Sequence, residues 1–121
     1  NRNMIMISVA ASLAIKNKCQ HLWYAAHAGD HEIYPDCRPE FIQKLGDVLS
    51  ICDYHKIKFE APFMDLSKQQ IVAEGLKMNL DYKNTWTCYV GGEKPCLRCS
   101  ACLERMSAFK ANNVIDPLNE I

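Results

Sequence analysis

No long run of lysine or arginine occurs in the chain, and neither charge dominates. The 14 basic residues are balanced by 14 acidic ones, for a formal net charge of zero. A nucleic-acid-binding surface normally leaves a basic footprint, and none is present. Long hydrophobic runs are absent as well. The longest, residues 4–15, is broken by Ser8 and Ser12 and falls short of a membrane span. It also has no small-residue cleavage site of the secretory kind. No internal repeat or low-complexity segment appears. The chain does not open on methionine, and it starts in helix-like sequence with no lead-in strand. This is the pattern expected of the C-terminal part of something longer, or of a trimmed chain.

What is present is apolar residues and cysteine. A hydrophobic fraction of 49% can build a core, and 121 residues suit one domain. Seven cysteines are many for this length, and their odd number argues against a pure disulfide framework. Reduced thiols in a cytoplasmic setting fit better than secretion.

Periodicity predicts a mostly buried helix over residues 3–16, where Met4, Ile5, Ile7, Val9, Leu13 and Ile15 mingle with alanines. Residues 21–28 form a short apolar run that reads as a buried strand. Pro39 suits the first turn of a helix, and Phe41, Ile42, Leu45, Val48, Leu49 and Cys52 then recur at helical spacing. Residues 56–61 alternate as a second strand. Ser67 followed by Gln70 forms a capping box for a helix to about residue 78. A last helix is expected over residues 101–112, with Leu103, Met106 and Phe109 on its apolar face. This alternation implies an α/β fold with a parallel sheet and right-handed crossovers. Two strands make a poor sheet, so further strands are expected upstream.

The strongest local signal is Cys88-x7-Cys96-x2-Cys99-x2-Cys102. Four thiols within fifteen residues match tetrahedral zinc, and a C-x2-C turn brings two sulfurs to one metal. Gly91, Gly92 and Pro95 allow the intervening loop to fold back. Four thiolates leave no open coordination position, so the expected zinc is structural. Lys94, Arg98 and Arg105 are candidates to offset its negative charge. Spacing alone does not exclude an iron–sulfur cluster, and disulfides or free core thiols are the remaining alternatives.

Several segments occur together and in order: Arg2-Asn3, residues 27–30 (HAGD), residues 34–41 (YPDCRPEF), residues 62–72 and residues 85–105 (TWTCYVGGEKPCLRCSACLER). This combination resembles the 7-cyano-7-deazaguanine synthase family, from Arg2 to Leu118. The resemblance implies a Rossmann-like parallel sheet of the adenine-nucleotide alpha-hydrolase type with a C-terminal four-cysteine zinc-binding segment. On that basis residues 1–121 form the C-terminal part of one ligase domain, with the zinc segment at 85–112. It further implies an ATP-dependent ligase with ATP and Mg as co-substrate. Such an enzyme adenylates 7-carboxy-7-deazaguanine, lets ammonia attack to give an amide, then activates and dehydrates the amide to a nitrile for queuosine biosynthesis.

Two departures from the family pattern stand out. The glycine-rich Ser-Gly-Gly-x-Asp-Ser nucleotide loop is not in this chain, so the chain alone is expected to bind ATP poorly. Where the family commonly has Cys-Gly, this sequence has Cys96-Leu97.

Candidate catalytic residues are Asp30, Asp36 and Arg38. Asp30 follows a predicted strand end, where α/β folds place ligands, and is either a contact to the substrate amine or to magnesium, or a solvated turn acid. Asp36 is either a ligand group or a helix cap. Arg38 can grip a carboxylate or phosphate bidentately. Candidate substrate- or nucleotide-binding residues are Arg2, Asn3, Tyr34 and Lys68. Arg2 and Asn3 match the family's pair near the nucleotide, or else sit at a frayed chain end. Tyr34 either stacks on a purine-like base or packs ordinarily. Lys68 either reaches a phosphate or is solvated. His27 reads as a satisfied core histidine. Cys37 is not needed as a nucleophile, because adenylation followed by ammonia attack requires no thiol. Small-molecule substrates are expected, without direct nucleic-acid or membrane contact, and a homodimer is left open. The alternatives are a related deazaguanine-using ligase in a defence or modification system, and a non-catalytic zinc-binding module.

Overall fold

The structure is a computed structural model and describes residues 2–119. The chain divides into two compact units, Asn1–Asp65 and Leu66–Ile121.

The first unit opens with helix α1, Arg2–Lys16, followed by strand β1, His21–Trp23. Two 3-10 turns, Ala28–Asp30 and Pro35–Cys37, lead into helix α2, Pro39–Ile51, and strand β2, Lys58–Glu60. Pro39 stands in the first turn of α2, where its missing N–H costs nothing. The strands pair in parallel, with His21 opposite Lys58, Leu22 opposite Phe59 and Trp23 opposite Glu60. The expected parallel pairing is therefore present, as a two-stranded sheet.

The first core gathers Ile7, Ala11 and Ala14 of α1, Leu45 and Leu49 of α2, and Ile57. Their spacing in α1 is that of one helical stripe. Tyr24 and Phe59 pack against this core and stack on each other at 6.1 Å between ring centroids.

Two expectations need correction here. The first helix is not mostly buried: Ile5, Met6, Val9 and Leu13 are all more than half exposed. One helix and a two-stranded sheet can cover only a single stripe of it. The strand predicted over residues 21–28 is also much shorter. One further ladder bond runs from the Tyr24 N–H to the Glu60 carbonyl, and then Pro62 ends the partner, having no N–H to give. Trp23 is consequently exposed rather than interior.

The second unit holds helix α3, Lys68–Lys77, a 3-10 turn at Tyr82–Asn84, and helix α4, Ser100–Ala111. The capping box read from sequence is formed. The Gln70 N–H donates to Ser67 Oγ, and the Ser67 N–H donates to Gln70 Oε1 at 2.8 Å. Val72, Ala108 and Phe109 make the core, with Leu76 and Tyr82 packed on it. Tyr82 meets Phe109 edge-on at 5.0 Å and donates its hydroxyl to the Val72 carbonyl at 3.0 Å. A Cβ at Gly75 would collide with that hydroxyl, which explains a glycine inside α3. Asn112 Nδ2 donates to the Gln69 carbonyl at 2.9 Å and joins the two helices.

The buried face of α4 also differs from expectation. It carries Cys102, Arg105, Ala108 and Phe109, while Leu103 is exposed. A thiol cluster and a buried ion pair select this face, and apolar periodicity cannot register either one. Among the described residues no helix is long and apolar enough to cross a membrane.

Replacing Ser67 by Ala should remove the reciprocal cap and cost about 1 kcal/mol. Urea denaturation of the protein should show a lower midpoint with an unchanged slope.

Candidate functional site

The four predicted ligands Cys88, Cys96, Cys99 and Cys102 converge, and all four sulfurs lie within 4.8 Å of one another. Cys96 Sγ and Cys102 Sγ are 4.0 Å apart. A tetrahedral site with Zn–S near 2.3 Å requires sulfurs about 3.8 Å apart, whereas a disulfide needs about 2 Å. All seven cysteines are free thiols. The donor set therefore fits a single metal ion and leaves none of the four sulfurs over.

Local backbone geometry brings the sulfurs together. Gly91 and Gly92 take φ of +75° and +96°, reversing the loop between Cys88 and Cys96. The Cys96 N–H points at Cys88 Sγ at 3.3 Å, and the Cys99 N–H at Cys96 Sγ at 3.4 Å. Cys99 then serves as the N-cap residue of α4, and Cys102 sits in its first turn. Backbone N–H groups favour thiolate. The Cys96 amide lowers Cys88, and the Tyr89 and Cys102 amides bring Cys99 down to about 6. Cys102 is pushed the other way, to about 12, by desolvation first and its sulfur neighbours second.

Leu97 occupies the turn between Cys96 and Cys99 with φ of +56°. An L-residue in this left-handed region is strained by about 1 kcal/mol relative to glycine.

Arg105 does not screen the thiolates as expected. Its Nε and one terminal nitrogen donate to Asp116 Oδ2 and Oδ1 at 2.6 and 2.8 Å. The other terminal nitrogen reaches Thr85 Oγ1 at 2.8 Å, and the guanidinium lies 5.1 Å from the centre of the Phe109 ring. Both charged side chains are almost wholly buried. A guanidinium out of water is held by its carboxylate partner, which outcompetes a sulfur cluster for its donors. Lys94 and Arg98 remain on the exposed loop. Reading the sequence missed Asp116, because nothing marks two opposite charges 11 positions apart as partners.

The second group of predicted residues lies in the first unit. His27 is buried, and its Nδ1 accepts from the Gly29 N–H at 3.1 Å. That arrangement places the proton on Nε2, which stands 3.2 Å from Asp30 Oδ2. His27 thus fits the reading of a satisfied core histidine, and Asp30 gains a fixed orientation. The Asp30 carbonyl accepts from the Ile33 and Tyr34 N–H groups and turns the chain toward Pro35. Tyr34 is half-exposed. Asp36 accepts from Asn3 Nδ2 at 2.9 Å, so two predicted residues 33 positions apart meet. Asp36 does not cap α2. That position belongs to Arg38, which makes no side-chain cap bond. Arg38 instead donates Nε to the His31 carbonyl at 2.9 Å, with the side chain exposed. Arg2 is exposed in the first turn of α1.

Cys37 is buried and lies 3.4 Å from the Tyr24 hydroxyl. Burial pushes its thiol up. It is therefore held as a neutral thiol, which is unsuited to nucleophilic attack. Lys68 belongs to the second unit, where Nζ pairs with Glu104 at 3.1 Å.

A parallel βαβ arrangement with a polar turn ahead of α2, accompanied by a four-thiol knuckle, defines an α/β protein with a thiolate metal-binding segment. The chain matches the family model described as queuosine biosynthesis protein QueC over residues 1–113, and it belongs to that family. It is 54% identical over 118 residues to a protein of Marinobacter nauticus named 7-cyano-7-deazaguanine synthase, covering 98% of this chain and 53% of that one. Proteins of Colwellia psychrerythraea, named 7-cyano-7-deazaguanine synthase 1, and Caldicellulosiruptor saccharolyticus, named 7-cyano-7-deazaguanine synthase, are 49% and 52% identical over the same length. They too are matched across 98% of this chain, which spans 54% and 52% of their own lengths. The chain thus spans about half the length of the curated relatives it matches.

Two substitutions test this geometry. Asp116→Ala should strand a buried guanidinium and cost about 3–5 kcal/mol, read as a large fall in the denaturation midpoint. Leu97→Gly should relieve the left-handed strain and raise stability by about 1 kcal/mol in the metal-loaded protein, read by thermal unfolding.

Proposed function

We propose that the chain is the zinc-bearing portion of an ATP-dependent carbon–nitrogen ligase that converts 7-carboxy-7-deazaguanine and ammonia to 7-cyano-7-deazaguanine. The observation that carries this reading is the meeting of Asn3 with Asp36 at the turn ahead of α2, in a chain that matches the QueC family over residues 1–113. The names of the relatives support the same substrate class.

The chemistry follows from the substrate. A carboxylate is a poor electrophile, because its charge repels a nucleophile and oxide is a poor leaving group. Attack of a carboxylate oxygen on the α-phosphorus of ATP, with loss of pyrophosphate, makes AMP the leaving group. Ammonia then adds at the carbonyl carbon, AMP and a proton depart, and an amide remains. The amide oxygen attacks the α-phosphorus of a second ATP with loss of pyrophosphate, and departure of two protons and AMP from that adduct yields the nitrile. Magnesium accompanies ATP in this scheme as a phosphate-bound ion.

In this reading Arg38 grips an anionic oxygen, since its Nε is tied to the His31 carbonyl and its terminal nitrogens are the part left to a ligand. Asp30 and Asp36 face the amine or magnesium end, and half-exposed Tyr34 offers a stacking face. Arg2 serves the nucleotide end, and Asn3 belongs to the same corner through its bond to Asp36. Lys68 serves a phosphate only after leaving Glu104. Zinc at Cys88, Cys96, Cys99 and Cys102 is structural, because four sulfur ligands leave no place for substrate. Residues 1–121 are then one part of a single ligase domain, with the zinc segment at 85–112. Its fold is of the Rossmann-like, adenine-nucleotide alpha-hydrolase type. A cytoplasmic location suits reduced thiolates.

The full-length protein, incubated with 7-carboxy-7-deazaguanine, ammonia and Mg-ATP, should release AMP and form the nitrile, as followed by mass spectrometry. Well-folded protein yielding no nitrile would sink the reading. Elemental analysis should return one zinc per chain, and Cys102→Ser should lower that content and destabilise the protein. A metal-free protein with these sulfurs oxidised in pairs would overturn the metal assignment separately.

A further inference from the structure

The bond between Asn3 and Asp36 has a feature that a direct nucleotide contact does not require. It joins the first turn of α1 to the 3-10 turn ahead of α2, and it is partly buried. A neutral amide donating to a carboxylate makes a charge-assisted bond, stronger and more directional than one between neutral groups. Among the described residues the other carboxylate oxygen has no comparable anchor. Cys37 Sγ lies 3.9 Å from Asp36 Oδ1, a weak contact, and the same sulfur is closer to the Tyr24 hydroxyl. Tyr24 is in turn packed on the core beside Phe59. Asp36 is therefore fixed at Oδ2 and lightly held at Oδ1. The groups behind it, a thiol and a phenol, are neutral.

We propose that Asn3 is a positioning residue for Asp36: its amide holds Oδ2 so that Oδ1 is the oxygen left to receive the ligand. Asn3 then acts on the reaction through the carboxylate and does not itself touch the nucleotide. Cys37 contributes packing and a neutral surround. This deepens the ligase reading and rests on it, since it takes Asp36 to be a ligand-facing group.

The test uses the full-length protein in the nitrile-forming assay, with thermal melts as a check on folding. Asn3→Leu is nearly isosteric and removes the donor. It should lower kcat about tenfold or more while the KM for ATP changes little, because a misaligned group at the reacting centre slows turnover more than it weakens binding. Asn3→Asp has the same size and sets two carboxylates against each other. It should lower kcat at least as much, and it stands in if the leucine variant does not fold. A KM for ATP that rises many-fold with kcat preserved in either variant would show a direct nucleotide contact and overturn the proposal. Unchanged kcat and KM would overturn it equally. Asp36→Ala separates the two levels of the argument. If that variant turns over normally, the assignment of Asp36 to the site is lost and the role of Asn3 with it. If it is inactive while the Asn3 variants are unimpaired, only the positioning role fails.

Discussion

Four sulfurs that together occupy the space of one metal ion set the shape of the whole segment around them. As thiolates they repel one another, and as thiols they make only weak bonds, so a bound cation would stabilise their convergence. The costs on the way are visible. Two glycines reverse the loop, a leucine sits in the left-handed region, and backbone amides are aimed at sulfur instead of being left to water. The Arg105–Asp116 pair works beside this constraint. Its guanidinium links the carboxylate near the end of the chain to Thr85 and Tyr82, just ahead of Cys88. One brace acts on the loop through a four-sulfur cluster fit to hold a metal ion, and the other through a buried charge pair.

The corner in the first unit follows a different logic. Its polar groups are positioned by hydrogen bonds rather than by coordination. His27 orients Asp30, Asn3 orients Asp36, and a main-chain carbonyl orients Arg38. The corner lies on the turns between β1 and α2, after the end of a parallel strand, which is where open α/β sheets bind their ligands. Rigid elements on both sides supply the precision that a free loop would lack.

Much of this is legible in the sequence. The cysteine spacing points to the four sulfurs that converge, the Ser67–Gln70 box marks the start of α3, and Pro39 marks α2. What escaped had no one-dimensional trace. The Arg105–Asp116 pair depends on a chain reversal after α4, so sequence alone points Arg105 to the nearest obvious anions, the thiolates. The face of α4 escapes apolar periodicity because Cys102 and Arg105 are buried for reasons other than hydrophobicity. The strand at residue 21 is shorter than its apolar run because its length is set by its partner, which ends ahead of Pro62. The roles proposed for Arg2, Tyr34 and Lys68 concern ligands, and the fold by itself bears on them only through placement and exposure.

The bare side of α1 has a practical corollary. Ile5, Met6, Val9 and Leu13 give this helix a greasy outer surface. A chain with such a surface attracts hydrophobic dyes, chaperones and its own copies at high concentration. Handling the isolated polypeptide therefore calls for dilute samples or a solubilising fusion, whatever the strength of its core.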